Sequence, residues 1–302
     1  MGNPAKKLLL VFNPHASSGR AERVFPAVLR ALDAKGMGYD ILRSENPAQA
    51  IEQLAQRDLG AYEGVVAAGG DGTVFATLNG LYRKERKDRK PLGVIPIGTG
   101  NAFAHDLDLQ PGDWGKAVDL LATGKHRLVD VGRVTTATAQ FHFLNIIGMG
   151  FAFDAALTAA RLKRLGKGAY TLGSLWQVLK LKCHPLRIEI DGRLIEQDNI
   201  FVEVSNTRYT GTSFLIAPAA QMDDGLLDVT LLRNLPRLRL LRLFPSIYSG
   251  RHVNFAEVTV FQARQIRILA PSGYAMAADG EFRGETPAEI CCLHRDLAIF
   301  SK

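Results

Sequence analysis

Gly64-Val65-Val66-Ala67-Ala68-Gly69-Gly70-Asp71-Gly72-Thr73 is the stretch on which the fold turns. Four apolar residues bounded by glycines make a short buried strand, and from Thr73 to Arg83 the apolar spacing becomes helical. The segment therefore reads as strand, tight turn and helix. At such a junction free backbone N–H groups and the helix dipole can hold a phosphate, and glycine lets the chain approach the anion closely. Asp71 sets a carboxylate beside those phosphates, suited to reaching a metal through water. The plainer alternative is a turn with Thr73 capping the helix; an acid fixed between glycines at a strand's carboxyl end favours phosphate binding.

Outward from this turn, the same alternation continues. Leu8 to Phe12 is a strand, Ala21 to Lys35 a helix, Ile41-Leu42 a strand, and Pro47 opens a helix over Ala48 to Gln56. After a charged loop, Lys84 to Lys90, Leu92 to Ile95 is the next strand. Strands separated by helices in this order imply a doubly wound α/β domain with a parallel sheet. A second glycine turn, Pro96-Ile97-Gly98-Thr99-Gly100-Asn101, also follows a strand, so two loops can meet at one carboxyl edge, where open α/β sheets bind ligands. Asn13-Pro14 through Ser17-Ser18-Gly19-Arg20 is a third, weaker loop of this kind.

Beyond about Val129 the pattern changes to alternating segments: Leu186 to Ile190, Ile200 to Val204, Leu227 to Leu232, Phe255 to Val260 and Ile266 to Leu269. Asp191-Gly192 and Asp224-Gly225 are turn signals between them. Phe141 to Phe153 reads as buried strand, and Ala155 to Leu181 as a helical insertion. The expected second domain is mostly antiparallel β. The expected boundaries are 1–130 and 131–289, with a tail over about 290–302 packing back on the first domain.

Length and composition set bounds on function. At 302 residues, with 47% hydrophobic and 22% charged residues, the chain suits a two-domain globular enzyme rather than a disordered or membrane-integral protein. No signal-peptide pattern is read at Met1 to Phe12, and Lys6 stands where a myristoylation pattern needs Ser or Thr. The three cysteines, Cys183, Cys291 and Cys292, lack C-x-x-C spacing, which points to a reducing cytoplasm. A net charge of +7 favours anionic partners such as nucleotides or phospholipid headgroups. The histidines, His15, His105, His126 and His252 among them, share no metal-ligand spacing and read as structural.

The three loops, in this order and at these distances, resemble the diacylglycerol kinase catalytic domain, a family that includes bacterial lipid kinases and the sphingosine and ceramide kinases. The resemblance continues through Phe151-Ala152-Phe153-Asp154, Tyr209-Thr210-Gly211 to Ala217-Pro218, Asp224-Gly225-Leu226-Leu227-Asp228 and Asp279-Gly280-Glu281, so it runs from residue 13 to residue 281. It implies an N-terminal domain of the NAD kinase and phosphofructokinase type, followed by a β-sandwich. It also implies that Asn13, Gly69 to Thr73 and Gly98, Thr99, Gly100 and Asn101 hold ATP, with a further contact near Arg43 or Ser44, of which Ser44 is the candidate. A structural Mg²⁺ would sit on Asp224 and the carbonyls of Gln221 and Leu226, an all-oxygen set that suits a hard cation. From the residues alone, Asp224-Gly225 is as well explained by a hairpin turn.

A lipid hydroxyl must lose its proton as it attacks the γ-phosphate, and a carboxylate is a suitable acceptor. Similarity assigns that role to Glu281, with Asp279 beside it or turned toward the metal, and Asp71 near the phosphates. ATP·Mg is expected between the two domains, with the lipid supplied from the second. Phe75 and Ala76 stand where the family carries Asn and Glu, and Ala102 where Asp is frequent. Between Ala155 and Arg187 there are seven basic residues and no acidic ones, interleaved with apolar side chains; Arg233 to Phe244 is similar. Both could lie on an anionic membrane surface or be amphipathic elements with solvated basic faces. The expected protein is cytoplasmic and peripherally membrane-associated. It acts on ATP and a lipid, has no nucleic-acid partner, and is compatible with a homodimer. Two other readings share these residues: a kinase of NAD or a sugar phosphate, and a lipid- or nucleotide-binding protein without catalysis.

Overall fold

In a computed structural model of the chain, residues 7–15, 19–150, 183–211 and 213–302 are described. Ser17 and Ser18 of the third loop, the Phe151-Ala152-Phe153-Asp154 segment and the expected Ala155 to Leu181 insertion with its basic residues lie outside them. The chain forms two compact units, Met1–Val129 with Arg295–Lys302, and Asp130–His294.

The first unit is built on a parallel sheet. Its strands are β1 (Lys7–Phe12), β2 (Gly38–Arg43), β3 (Gly64–Gly69) and β4 (Leu92–Pro96), and their order is β2-β1-β3-β4. In β1, Leu8 to Phe12 are all buried, and β3 is buried along its whole length. Continuous burial is what a central parallel strand covered on both faces requires. Helices α1 (Arg20–Ala34), α2 (Pro47–Gln56) and α3 (Asp71–Leu81) make the crossovers, and α5 (Trp114–Thr123) follows the short α4 (Ala102–His105). Helix α1 buries Ala21, Phe25, Val28 and Leu32 at helical spacing, and the Phe25 ring stacks on Phe12 at 3.7 Å. Pro47 is the first residue of α2, capped by Asn46, whose side chain accepts from the Gln49 N–H at 2.9 Å. Helix α3 is apolar on nearly every side and buried from Thr73 onward, a core helix rather than an amphipathic one.

The second unit is antiparallel. It contains β6 (Gln140–Phe143), β7 (Ile146–Gly150), β8 (His184–Ile190), β9 (Arg193–Ser205), β12 (Leu227–Arg233), β13 (Val258–Ala263), β14 (Gln265–Ala270), β15 (Ala275–Ala278) and β16 (Glu281–Glu285). Two-residue strands β10 (Tyr209–Thr210) and β11 (Phe214–Leu215) pair with each other. Two strands cross from one unit to the other along the chain, β5 (His126–Thr136) and β17 (Ala288–Phe300). The long strand β9 organises the unit, pairing with β8 along its first half, with β7 along its second half, and with β12 on its other edge. Asp191 and Gly192, with φ of 45° and 82°, make the two-residue hairpin turn between β8 and β9. Arg237–Leu243 is a helix, α6, with Leu240 and Leu243 buried.

Several expected boundaries shift. The helix expected from Thr73 begins at Asp71, because Gly70 takes the extended cap position and Thr73 falls in the first turn. The segment expected as one strand from Phe141 is two strands, β6 and β7, broken at Leu144-Asn145, where the backbone N–H groups turn to a side chain rather than to a neighbouring strand. The strand expected from Phe255 starts at Val258, after a 3₁₀ turn over Arg251–Asn254.

Candidate active site

The register of the parallel sheet gathers the N-terminal candidates. Phe12 lies beside Arg43 and Ala68, and Gly69 beside Pro96. The next residues, Asn13, Ser44, Gly70 and Ile97, therefore all leave the sheet at its carboxyl edge. The strand order reverses between β1 and β3, so this edge has the crevice where ligands of such sheets bind. Ser44 is buried, and its N–H donates to the Phe12 carbonyl at 3.0 Å. Asn13 closes its own loop by accepting from the His15 N–H at 2.9 Å.

The two glycine turns touch. The N–H groups of Ile97 and Gly98 donate to the Gly69 carbonyl at 3.2 and 3.0 Å. A Cβ on Gly98 would lie 2.2 Å from the Gly70 Cα, so no larger residue fits there without moving the backbone. Gly69 is equally constrained, since its Cβ would meet Thr73 Oγ1 at 2.1 Å. Asn101 holds the second turn in shape: it is in the left-handed region with φ 54°, its Oδ1 accepts from the Gly98 N–H at 3.1 Å, and its Nδ2 donates to the Gly98 carbonyl at 2.8 Å. Thr99, at the tip, is exposed, and Gly100 follows it half-buried.

Asp71 begins α3 beneath these turns and accepts from the Phe103 N–H at 3.4 Å. Burial pushes its carboxyl up to about 6, against the pull of the Phe103, Ala102, Asn101 and Asp71 backbone N–H groups. The residue as a whole is half-buried, so the acid is recessed. Phe75 and Ala76, which stand where the resembled family carries Asn and Glu, are buried in the core helix.

In the second unit, Asp279 and Gly280 form the two-residue turn between β15 and β16, with φ of 49° and 82°. The Asp279 carboxylate is buried and fully engaged: Oδ2 accepts from Leu144 N–H at 3.0 Å, and Oδ1 from Asn145 and Ile146 N–H at 3.0 and 2.9 Å. It pins the turn to the start of β7. Glu281, the first residue of β16, is half-buried on the far side of the same turn.

Asp224 lies in the loop before β12, its Oδ1 accepting from the Leu226 N–H at 2.9 Å; Leu226 is half-buried and Gln221 exposed. One residue not singled out from sequence holds this loop. Asp130, fully buried, accepts from the Gly225 N–H at 2.6 Å and sits 2.9 Å from His294 Nδ1, while its own N–H donates to the Met222 carbonyl at 2.7 Å. Asp130 carried no local signal, being one of several charged residues along β5. Asp228 is also buried, and its carboxyl is pushed up to about 6 by burial, opposed by a hydrogen bond with Gln262 and reinforced by the charge of Asp224. Two acids that repel each other in one loop are a set a hard cation would relieve, so the residues fit Mg²⁺. Among the described residues no group of three His, Cys, Asp or Glu side chains gathers, so such a cation would rest on carbonyls and water as well.

A parallel α/β unit with two abutting glycine turns and a recessed acid, followed by an antiparallel unit with carboxylates on its turns, defines a phosphotransferase of the kinase class. Residues 7–134 match the diacylglycerol kinase catalytic domain, and residues 145–301 match the YegS C-terminal NAD kinase beta sandwich-like domain. A diacylglycerol kinase of Mycobacterium tuberculosis is 30% identical over 299 residues, covering 97% of this chain and 94% of that protein. One of Bacillus subtilis is 27% identical over 296 residues, 97% of this chain and 96% of that protein. A crystal structure of a diacylglycerol kinase of Bacillus anthracis, described there as putative, superposes with a TM-score of 0.81 at 25% identity, covering 100% of this chain and 99% of that one. The chain belongs to the diacylglycerol kinase family and is a lipid kinase.

Proposed function

We propose that the enzyme transfers the γ-phosphoryl group of ATP to the hydroxyl of an uncharged lipid such as diacylglycerol, presented at a membrane surface. The observation that carries this is the contact of the Gly70 and Gly98 turns at the carboxyl edge of the sheet, with Asp71 recessed beneath them. Backbone N–H groups there face where phosphates bind, and the N-terminus of α3 adds its dipole. Mg²⁺, held by Asp224 with the carbonyls of Gln221 and Leu226, would supply positive charge that offsets that of the acidic loop. Asn13, Ser44, Thr99, Gly100 and Asn101 shape or border the nucleotide site.

Glu281 accepts the proton of the attacking hydroxyl, since its neighbour Asp279 has both oxygens committed to backbone N–H groups. Asp279 then acts as a positioning residue, holding the Asp279-Gly280 turn so that Glu281 keeps one orientation. Asp71 stabilises charge on the transferred group through water or metal. With labelled ATP and lipid in detergent micelles, Asp71→Ala and Glu281→Ala each lower turnover by at least about a hundredfold while leaving the circular dichroism spectrum unchanged. Full activity in both variants would refute the assignment, and phosphorylation of soluble NAD or a sugar phosphate without lipid would replace the acceptor.

A further inference from the structure

The C-terminal unit carries an exposed apolar stripe that phosphoryl transfer does not use. In α6, Leu240 and Leu243 point into an apolar cluster with Ile200, Phe201 and Ile216. Leu238 and Leu241, also one turn apart, form a second stripe turned away from that cluster, 76% and 40% exposed. The chain continues as a 3₁₀ segment over Phe244–Ser249, whose Tyr248 is 45% exposed while its ring rests 4.7 Å from that of Phe214. A single leucine at a surface needs no explanation. Two on adjacent turns, on a helix whose core side is already filled, leave apolar area in water with nothing gained for the fold.

The charge around the stripe has one sign. From Arg233 to Asn254 the sequence holds five arginines and no acid. Arg239 is committed to the fold: its Nε donates to Glu257 at 3.0 Å, and its guanidinium lies 5.2 Å from the centre of the Phe255 ring. Arg237, Arg242 and Arg251 are exposed and enter no ion pair among the described residues. Arg237 precedes Leu238 and Arg242 follows Leu241, so guanidinium groups flank the leucines within the same two turns. Arginine keeps its charge at any physiological pH, and it can lay its methylene stem along apolar surface with the head in water.

Charge and area decide between a second copy, a protein groove and a membrane. A second copy docked about a two-fold axis would set the same arginines against each other. A protein groove would have to hold its shape around two leucines and a tyrosine, far less area than a stable interface buries. An anionic phospholipid surface meets both demands without matched shape. Its headgroup phosphates take the guanidinium groups bidentately, and the boundary of its acyl layer takes the leucines.

We propose that α6 and the 3₁₀ segment after it form a docking face for anionic phospholipid, with Leu238 and Leu241 at the acyl boundary and Arg237, Arg242 and Arg251 on headgroup phosphates. Each arginine near an anionic surface strengthens attachment about fivefold, so the three together contribute about a hundredfold, reversibly and with sensitivity to salt. The face takes its biological sense from the lipid-kinase reading, but attachment is measured without ATP or acceptor, so the two can fail separately.

The test is sedimentation of the full chain with vesicles of phosphatidylcholine, alone or mixed with phosphatidylglycerol. The unaltered chain binds the mixed vesicles at least about a hundredfold more tightly, and added salt releases it. The combined Arg237→Gln, Arg242→Gln and Arg251→Gln variant loses about a hundredfold on mixed vesicles. Leu238→Ser with Leu241→Ser loses about tenfold and keeps the salt dependence. All five side chains are exposed, so melting temperatures stay unchanged. As a control, Lys35→Gln, Lys87→Gln and Lys116→Gln together remove equal charge from exposed sites of the first unit and alter binding by less than about twofold. No preference for the mixed vesicles, undiminished binding in the arginine or the leucine variant, or an equal loss in the lysine control overturns the proposal. If the leucine variant turns a dimer into a monomer in gel filtration, the face belongs to a second copy and the proposal falls. If attachment follows the expected pattern but no lipid is phosphorylated, the kinase reading fails and the docking face stands.

Discussion

Asp279 and Glu281 are two residues apart and chemically almost the same, yet their surroundings assign them different work. Asp279 takes three backbone N–H bonds from Leu144, Asn145 and Ile146, which tie its carboxylate to the start of β7. Asp279→Asn offers one acceptor oxygen in place of two and turns an N–H₂ group toward N–H donors. It should cost roughly 1–3 kcal/mol in urea unfolding, with activity falling through loss of kcat rather than a changed pH profile. Glu203 makes a pH-dependent prediction. Its carboxyl is pushed by burial from 4.5 up to about 8, so between those values the folded state holds a proton that the unfolded state has released. Stability therefore falls as pH rises from 4.5 to about 8 and then levels. Thermal melts should show this slope in the unaltered chain and a shallower one in Glu203→Leu, which also melts higher at pH 8.

At the scale of elements, the two glycine turns act as one structure. Strands β3 and β4 are adjacent and in register, so the turns that follow them are forced into contact, and only residues without a Cβ allow it. Gly98→Ala would press its methyl group against Gly70 and separate the turns. A displacement of about 1 Å there should reduce kcat/KM for ATP by about a hundredfold, with the fold retained by circular dichroism. Sequence alone made most of this legible, because strand, glycines and helix are contiguous and each has a local signature. It was not legible that Asn101 braces the second turn, since that follows from its two bonds to Gly98. Nor was the break between β6 and β7 visible, as a single polar residue, Asn145, between Leu144 and Ile146 does not by itself end an apolar run.

On the scale of the whole molecule, the first unit is completed by the last residues of the chain. Ile299 of β17 pairs in parallel with Leu92, and Phe300 packs where Gly64 and Gly93 leave space. Asp296 bonds Arg86, Arg89 and Tyr82, tying the tail to the charged loop after α3. Phe300→Ala should lower stability by roughly 3–5 kcal/mol in urea unfolding, and deletion of Arg295–Lys302 should leave a chain that does not melt cooperatively. The amino-acid sequence by itself determined the strands and helices of the α/β half, the glycine turns at their carboxyl ends and the family, because periodicity and short motifs are local properties. Only the tertiary structure decided which groups each acid meets. Asp279 is claimed by N–H groups up to 135 residues away, Asp130 reaches Gly225 across 95, and Glu203 Oε1 meets no partner among the described residues. A carboxylate's role depends on which groups come to meet its oxygens and how much water is left, and strand pairing over such distances sets both.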